Sequence, residues 1–412
     1  MRPAAIAPAA RDASGSAKSG HNAGEAAAAP ASRHARALAV RPAAVDRSPP
    51  FPDSDSPMKR YPRFVPAAAA CLLTASLALS GAASAQGASD AAAPDGPAYG
   101  PELQGFDYPW PVSRFTFHSQ RQALQMAYLD IAPDPAAANG RTAVLLHGKN
   151  YCSATWAPTA RVLSKAGYRV IAVDQIGFCK SSKPERYQFT FQQLARNTND
   201  LLHSLGIEHA IIIGHSTGGM LGIRYALQYP HETDRLVLVD PIGLEDWRAK
   251  GVPPVSVDQW YERELGTSAE RIRNYERSTY FAGQWRADYE PAVQMLAGMY
   301  RGPGREQVAW DSALLYDMIL TQPVVYELPQ LKVPTLLMIG DKDTTAIGKE
   351  YAPAAIRPTL GNYRQLARAT AAAIPDVTLV EFPDAGHAPQ MQDPDRFHAA
   401  LLQGLNAKRG AP

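Results

Sequence analysis

Ser216 stands at the centre of Gly214-His215-Ser216-Thr217-Gly218, and the stretches on either side give this serine a chemical use. Before it, Ala210-Ile211-Ile212-Ile213 is a short continuous apolar run, the mark of a strand buried on both faces of a parallel sheet. After it, residues 219–228 read as a helix that stops before Pro230. A serine in so sharp a strand-to-helix turn takes a strained backbone. Glycines two residues to each side let the neighbouring chain pass close by. The turn lifts the hydroxyl clear of the sheet and aims the next backbone N–H into the same space. A serine that only capped the helix would need no such glycines. The expectation is a nucleophile.

A serine hydroxyl is a poor nucleophile near neutral pH until an imidazole takes its proton, and a carboxylate must hold that imidazole in the right tautomer. Both types follow along the chain. Residues 334–340 form a second apolar run, with Asp341-Lys342-Asp343 at its end. Residues 377–382 read as a last strand, and Pro383-Asp384-Ala385-Gly386-His387 follows it. We assign Ser216 as nucleophile, His387 as base and Asp343 as orienting acid. Two other acids stay open as rivals: Asp341 two residues earlier, which would otherwise cap the turn, and Asp240, which ends the apolar run 236–239.

The order Ser, Asp, His, each in a loop after a strand, resembles the α/β-hydrolase superfamily from about residue 106 to 405. The resemblance implies an α/β fold with a mostly parallel eight-stranded sheet, helices on both faces and a helical cap insertion. In that superfamily the residue after a His-Gly pair at a strand end donates its N–H to an oxyanion hole, alongside the residue after the nucleophile. Here the strand 142–146 runs into His147-Gly148-Lys149-Asn150, so the carried-over pair is Lys149 and Thr217. Two preset donors stabilise the charge that develops on a tetrahedral intermediate. The Lys149 side chain is taken as a solvated charge, and His147 and His215 as structural. Some members carry their acid where Asp240 stands. Haloalkane dehalogenases and epoxide hydrolases share the architecture but use an aspartate nucleophile, so Ser216 argues against both.

The elements that must position these residues alternate. Residues 114–118 and 123–131 read as antiparallel strands. Strand 142–146, a helix over 154–166 and strand 168–174 come next. Thr190 with Gln193 reads as a capping box opening a helix whose apolar face carries Phe191, Leu194, Leu201, Leu202 and Leu205. A helix over 362–373 and another over 395–405 flank the last strand. This alternation makes a parallel sheet covered on both faces. Between about 243 and 325 it stops, in a helical stretch holding Trp247, Trp260, Trp285 and Trp310. The core domain is then 105–242 with 326–408, and the cap is 243–325. Most of the cap aromatics are expected to form its own small core, the rest an apolar wall for substrate.

At 412 residues the chain exceeds one ordinary domain, but its start is of another character. Residues 1–57 are rich in Ala, Pro, Ser and Arg without apolar periodicity and read as disordered. Met58-Lys59-Arg60, an apolar run over 64–79 and Ala83-Ser84-Ala85 together read as a secretory signal peptide over 58–85. A signal peptide begins near the true start, so translation is expected from Met58, with 1–57 untranslated. Residues 86–104 read as a flexible lead-in. Beyond residue 85 acidic side chains outnumber basic ones by three, which gives no basic face for nucleic acid. No CxxC, HExxH or G-x-G-x-x-G is present, so neither a metal nor another cofactor is expected. Cys152 and Cys179, the only cysteines left after signal cleavage, lie in loops after neighbouring strands and are expected to pair in an oxidising compartment. The alternative is two buried thiols.

These observations point to a periplasmic or secreted serine hydrolase acting on a small apolar ester, with no stable membrane anchor. Carbon–carbon bond hydrolysis or perhydrolysis on the same triad is the second expectation. A ligand-binding protein without activity is the third.

Overall fold

A computed structural model describes residues 96–407. The expected signal peptide and the segment before it lie outside the described residues. Eight strands form one sheet: β1 (Ser113–Ser119), β2 (Gln122–Ile131), β3 (Thr142–Leu146), β4 (Arg169–Val173), β5 (Ala210–His215), β6 (Thr233–Val239), β7 (Thr335–Gly340) and β8 (Val377–Phe382). Their order is β1-β2-β4-β3-β5-β6-β7-β8. The β1–β2 and β2–β4 pairs are antiparallel and every later pair is parallel.

The central strands show why continuous apolar runs were needed. Along β3, β5 and β6, odd-numbered residues such as Leu145, Ile213 and Val237 enter one core, while Val144, Ile212 and Leu238 enter the other. Successive side chains on a strand point to opposite faces, so a sheet covered on both sides needs apolar residues at every position. Helices α1 (Ala157–Lys165) and α10 (Pro394–Asn406) cover the first face, where Leu163, Phe397 and Leu401 pack. Helices α2 (Phe191–Ser204), α3 (Thr217–Gln228) and α8 (Tyr363–Ala373) cover the second through Leu194, Ile223 and Tyr363.

Between β6 and β7 lie α4 (Val257–Leu265), α5 (Ala269–Thr279), α6 (Glu290–Arg301) and α7 (Arg305–Thr321). The short α9 (Pro389–Gln392) follows β8. Each functional candidate falls beyond the C-terminal end of a parallel strand: His147 after β3, Ser216 after β5, Asp240 after β6, Asp343 after β7 and His387 after β8. That edge is where parallel α/β sheets gather their site residues.

Two local expectations need correction. Thr190 accepts from the Gln193 N–H, but the Gln193 side chain turns forward to Asn197 at 2.8 Å, so only half of the capping box forms. Residues 96–104, read as part of a flexible lead-in, pack on α6. Tyr99 donates its N–H to the Gly298 carbonyl at 2.8 Å, Arg301 Nε donates to Pro97 O at 2.9 Å, and Leu103 is fully buried. Their Gly/Pro content hid contacts supplied by distant parts of the chain, α6 in the insertion and Lys180 in the core among them.

Candidate active site

Ser216 is at φ 57°, ψ −120°, a left-handed region that costs a non-glycine residue about 1–3 kcal/mol. The turn is held on both sides. Ser216 donates its N–H to Val239 O at 3.0 Å, and its own carbonyl accepts from Gly219 N at 2.9 Å. A Cβ at Gly214 would run into the Gly218 carbonyl, and one at Gly218 into the carbonyls of Leu146 and His147. The two glycines therefore let β5, β3 and the start of α3 approach at backbone contact.

Ser216 Oγ lies 2.8 Å from His387 Nε2, and His387 Nδ1 lies 2.6 Å from Asp343 Oδ2. All three are buried, His387 completely. The other Asp343 oxygen accepts from the Thr345 N–H at 2.8 Å and the Thr345 hydroxyl at 2.6 Å, which fixes the plane of the carboxylate. Asp240 sits close by, with one polar atom each of Asp240, Asp343 and His387 within 4.8 Å of one another. It nevertheless points elsewhere: Oδ1 accepts from Gly340 N at 2.8 Å, and Oδ2 has no partner. Burial and then the Asp343 charge push the Asp240 carboxyl well above the usual range. Both causes favour the protonated form of Asp240. Asp341 makes no bond to His387; its carboxylate faces Arg364 at 3.9 Å.

The loop after β3 lies directly on the serine. A Cβ at Gly148 would meet His215 Nδ1 at 2.9 Å and Ser216 Cβ at 3.0 Å. Buried His147 donates from Nδ1 to Gly148 O at 2.8 Å and accepts at Nε2 from Gln175 N at 3.2 Å, and burial lowers its pKa. His215 is held well below the usual range by burial and by His387, and its Nε2 donates to the His387 carbonyl at 2.7 Å. Both imidazoles are neutral props for their neighbours' backbone. The N–H groups of Lys149 and of Thr217, at the first position of α3, have no acceptor among the described residues.

The Lys149 side chain departs from expectation. Rather than a solvated charge it is a nearly buried one, 11% exposed, with Nζ donating to Ser312 Oγ at 2.7 Å and 3.4 Å from Glu264 Oε2. Burial raises the Glu264 carboxyl, but Lys149, Arg263 and hydrogen bonds from Ser312 and Tyr300 outweigh it and hold the group below its ordinary value. Nothing in the local sequence could announce this, since the partners arrive from α4, α6 and α7.

Insertion residues also touch the triad. The His387 and Ala388 N–H groups donate to Thr279 O and Tyr280 O at 3.2 and 3.3 Å, and the Tyr280 ring lies 4.7 Å from the imidazole. Trp260 instead stacks on Tyr316 inside the insertion. A cavity of about 90 Å³ opens beside the loop, bordered by Lys149, Asn150, Arg263, Tyr275, Tyr300 and Tyr316. One turn before Tyr280, the fully buried Glu276 has both carboxyl oxygens without a partner, and burial pushes its pKa up to about 8.

Cys152 and Cys179 form a disulfide with Cα atoms 5.8 Å apart. Asp174, not singled out from sequence, explains their approach. Its carboxylate accepts from Ser153 N at 2.7 Å and Lys180 N at 3.1 Å, the residues that follow each cysteine. Its position at the end of an apolar strand was the one available signal.

A sequence profile described as the alpha/beta hydrolase fold matches residues 143–394. A solved structure of a probable hydrolytic enzyme from Pseudomonas aeruginosa is 63% identical with a TM-score of 0.74, covering 76% of this chain and 99% of that one. A 2-hydroxy-6-oxononadienedioate/2-hydroxy-6-oxononatrienedioate hydrolase of Comamonas testosteroni is 26% identical over 65% of this chain and 89% of its own. Lipase 1 of Psychrobacter immobilis is 27% identical over 66% of this chain and 79% of its own. With the profile spanning more than half of its length and the sheet in this order, the chain belongs to the α/β-hydrolase family of enzymes.

Proposed function

We propose that this enzyme is an exported serine hydrolase that cleaves small or medium carboxylic esters through an acyl-enzyme. The observation that carries the reading is the unbroken hydrogen-bonded line from Ser216 Oγ through His387 to Asp343, at 2.8 and 2.6 Å. In the first half-reaction His387 Nε2 takes the Ser216 proton as Oγ bonds to the ester carbonyl carbon. Charge passes to the carbonyl oxygen, which accepts from the Lys149 and Thr217 N–H groups. The tetrahedral adduct collapses, the C–O bond to the alcohol breaks, and His387 gives its proton to the leaving alkoxide. Water then repeats the sequence on the acyl-enzyme, releasing the acid and restoring the Ser216 hydroxyl. Asp343 holds Nδ1–H throughout, and Thr345 holds Asp343. Export is supported by the Met58–Ala85 pattern and by a disulfide on the loop that carries Lys149.

Carbon–carbon hydrolysis is the second reading, favoured by the Comamonas relative, a 2-hydroxy-6-oxononadienedioate hydrolase. Two measurements separate the readings. A fluorophosphonate probe should modify Ser216 alone, read by peptide mass. Turnover should be measurable on p-nitrophenyl esters within a series of graded chain length and should vanish in Ser216→Ala. Labelling of Ser216 without turnover of any ester, but with cleavage of a dienoic ketone, would replace the first reading by the second.

A further inference from the structure

Lys149 faces two ways. Its main chain continues from Gly148, which lies against Ser216, while its ammonium leaves the loop and enters the insertion. Nζ donates to Ser312 on α7, approaches Glu264 on α4 and sits 3.8 Å from the centre of the Tyr316 ring. Glu264 Oε2 accepts in turn from Ser312 Oγ at 2.6 Å and from Tyr300 OH on α6 at 2.6 Å. Three insertion helices thus converge on one cation. Asn150, the next residue, donates to Tyr280 OH at 3.2 Å, so the loop is tied outward at two successive positions. On the sheet side it is tied by the His147 bond to Gly148 O and by the disulfide at Cys152. Gly148 O and the Lys149 N–H share one planar peptide, so its plane is held on the carbonyl side by His147 and on the Cα side by the side chain whose ammonium is gripped.

We propose that Glu264 and Ser312 are positioning residues for the oxyanion hole: by gripping the Lys149 ammonium they aim its N–H, so the hole is complete only when α4 and α7 are seated. The inference rests on the reading of Ser216 as an acyl-transfer nucleophile. An ion pair that merely glued the insertion down would change stability or substrate binding. One that aims a hydrogen-bond donor at developing charge acts on the transition state, because the donor is stronger there than in the ground state.

The test uses the full enzyme and p-nitrophenyl acetate, with phenylboronic acid as a probe whose tetrahedral adduct places an oxygen in the hole. Ser312→Ala and Lys149→Met, which keeps the N–H, should each lower kcat about tenfold or more with KM moved less than about twofold. Boronic-acid affinity should weaken by a factor similar to the loss in kcat. Ser312→Thr, which keeps the hydroxyl, should restore most of the activity. Glu264→Gln serves as a second route should Ser312→Ala unfold, judged by its melting temperature. Folded variants with unchanged kcat and boronic-acid affinity, or with KM alone raised, would overturn the proposal while leaving the serine mechanism standing. Failure of the wild type itself to react with the fluorophosphonate at Ser216 would overturn both.

Discussion

Single residues carry the chemistry, and they differ in how far their types reveal them. The proposed nucleophile and base are nearly forced once a strained serine turn and a strand-end histidine are found, because few residues perform those tasks. The acid was not forced. Asp240, Asp341 and Asp343 all follow strands, and only the 2.6 Å bond from His387 separates them. Ser216→Ala and His387→Ala should each cut kcat about 10⁴-fold or more with the melting temperature preserved, as loss of triad members does elsewhere. Asp343→Asn should cost about as much, since it removes the group that fixes the imidazole tautomer. Asp240→Asn should change kcat less than about tenfold, because an amide closely imitates the neutral carboxyl already there; the reverse ranking would reassign the acid. Glu276 was invisible in the sequence, one of two glutamates on a polar helix. Its folded pKa of about 8 lies well above the ~4.3 of an exposed glutamate, so between those values the unfolded chain releases a proton that the folded protein keeps. Stability should fall as pH rises through that window and level off above it. Glu276→Gln lacks this penalty, on the order of a few kcal/mol. Its melting temperature should therefore gain on the wild type between pH 5 and pH 8. A constant difference across that range would show that Glu276 titrates normally.

At the scale of elements, legibility tracks the period of the apolar pattern. Strands β3, β5, β6 and β7 were readable because burial on both faces demands an unbroken apolar run, and none of these runs is long enough to form a helix. The insertion was readable only as an interruption. Helix α7 buries residues around most of its circumference, among them Val308, Ala309, Ala313 and Met318, so no clean face marks it. Its partners are fixed by tertiary contact alone. The β5–α3 turn can be tested as a unit. Gly218→Ala would force a methyl against two β3-side carbonyls and should cost at least about 2 kcal/mol in urea unfolding. Activity should fall with it; a neutral result would mean the approach is looser than described. The link between the loops after β3 and β4 makes a separate prediction. With Cys152 and Cys179 27 residues apart, reduction should lower stability by roughly 3–4 kcal/mol on the chain-entropy view. Intact mass after alkylation without reduction should show no added thiol label. Two labels would mean free cysteines.

For the molecule as a whole, the proposed export makes a plain prediction: protein recovered from its native host should begin at Gln86. N-terminal sequencing checks this, and any peptide from residues 1–57 would show that translation starts upstream of Met58. The insertion has a consequence of a different kind. It lends two backbone carbonyls, Thr279 and Tyr280, to the loop that carries His387, so the proposed base is seated partly on chain that belongs outside the sheet. Substrate range in such a protein is not a detachable cassette. An insertion transplanted from a relative would arrive with its own spacing at these two carbonyls and would leave the imidazole without its rest. Chimeras should keep turnover only when the segment after β8 travels with the insertion, so that choice of substrate and placement of the base are inherited together.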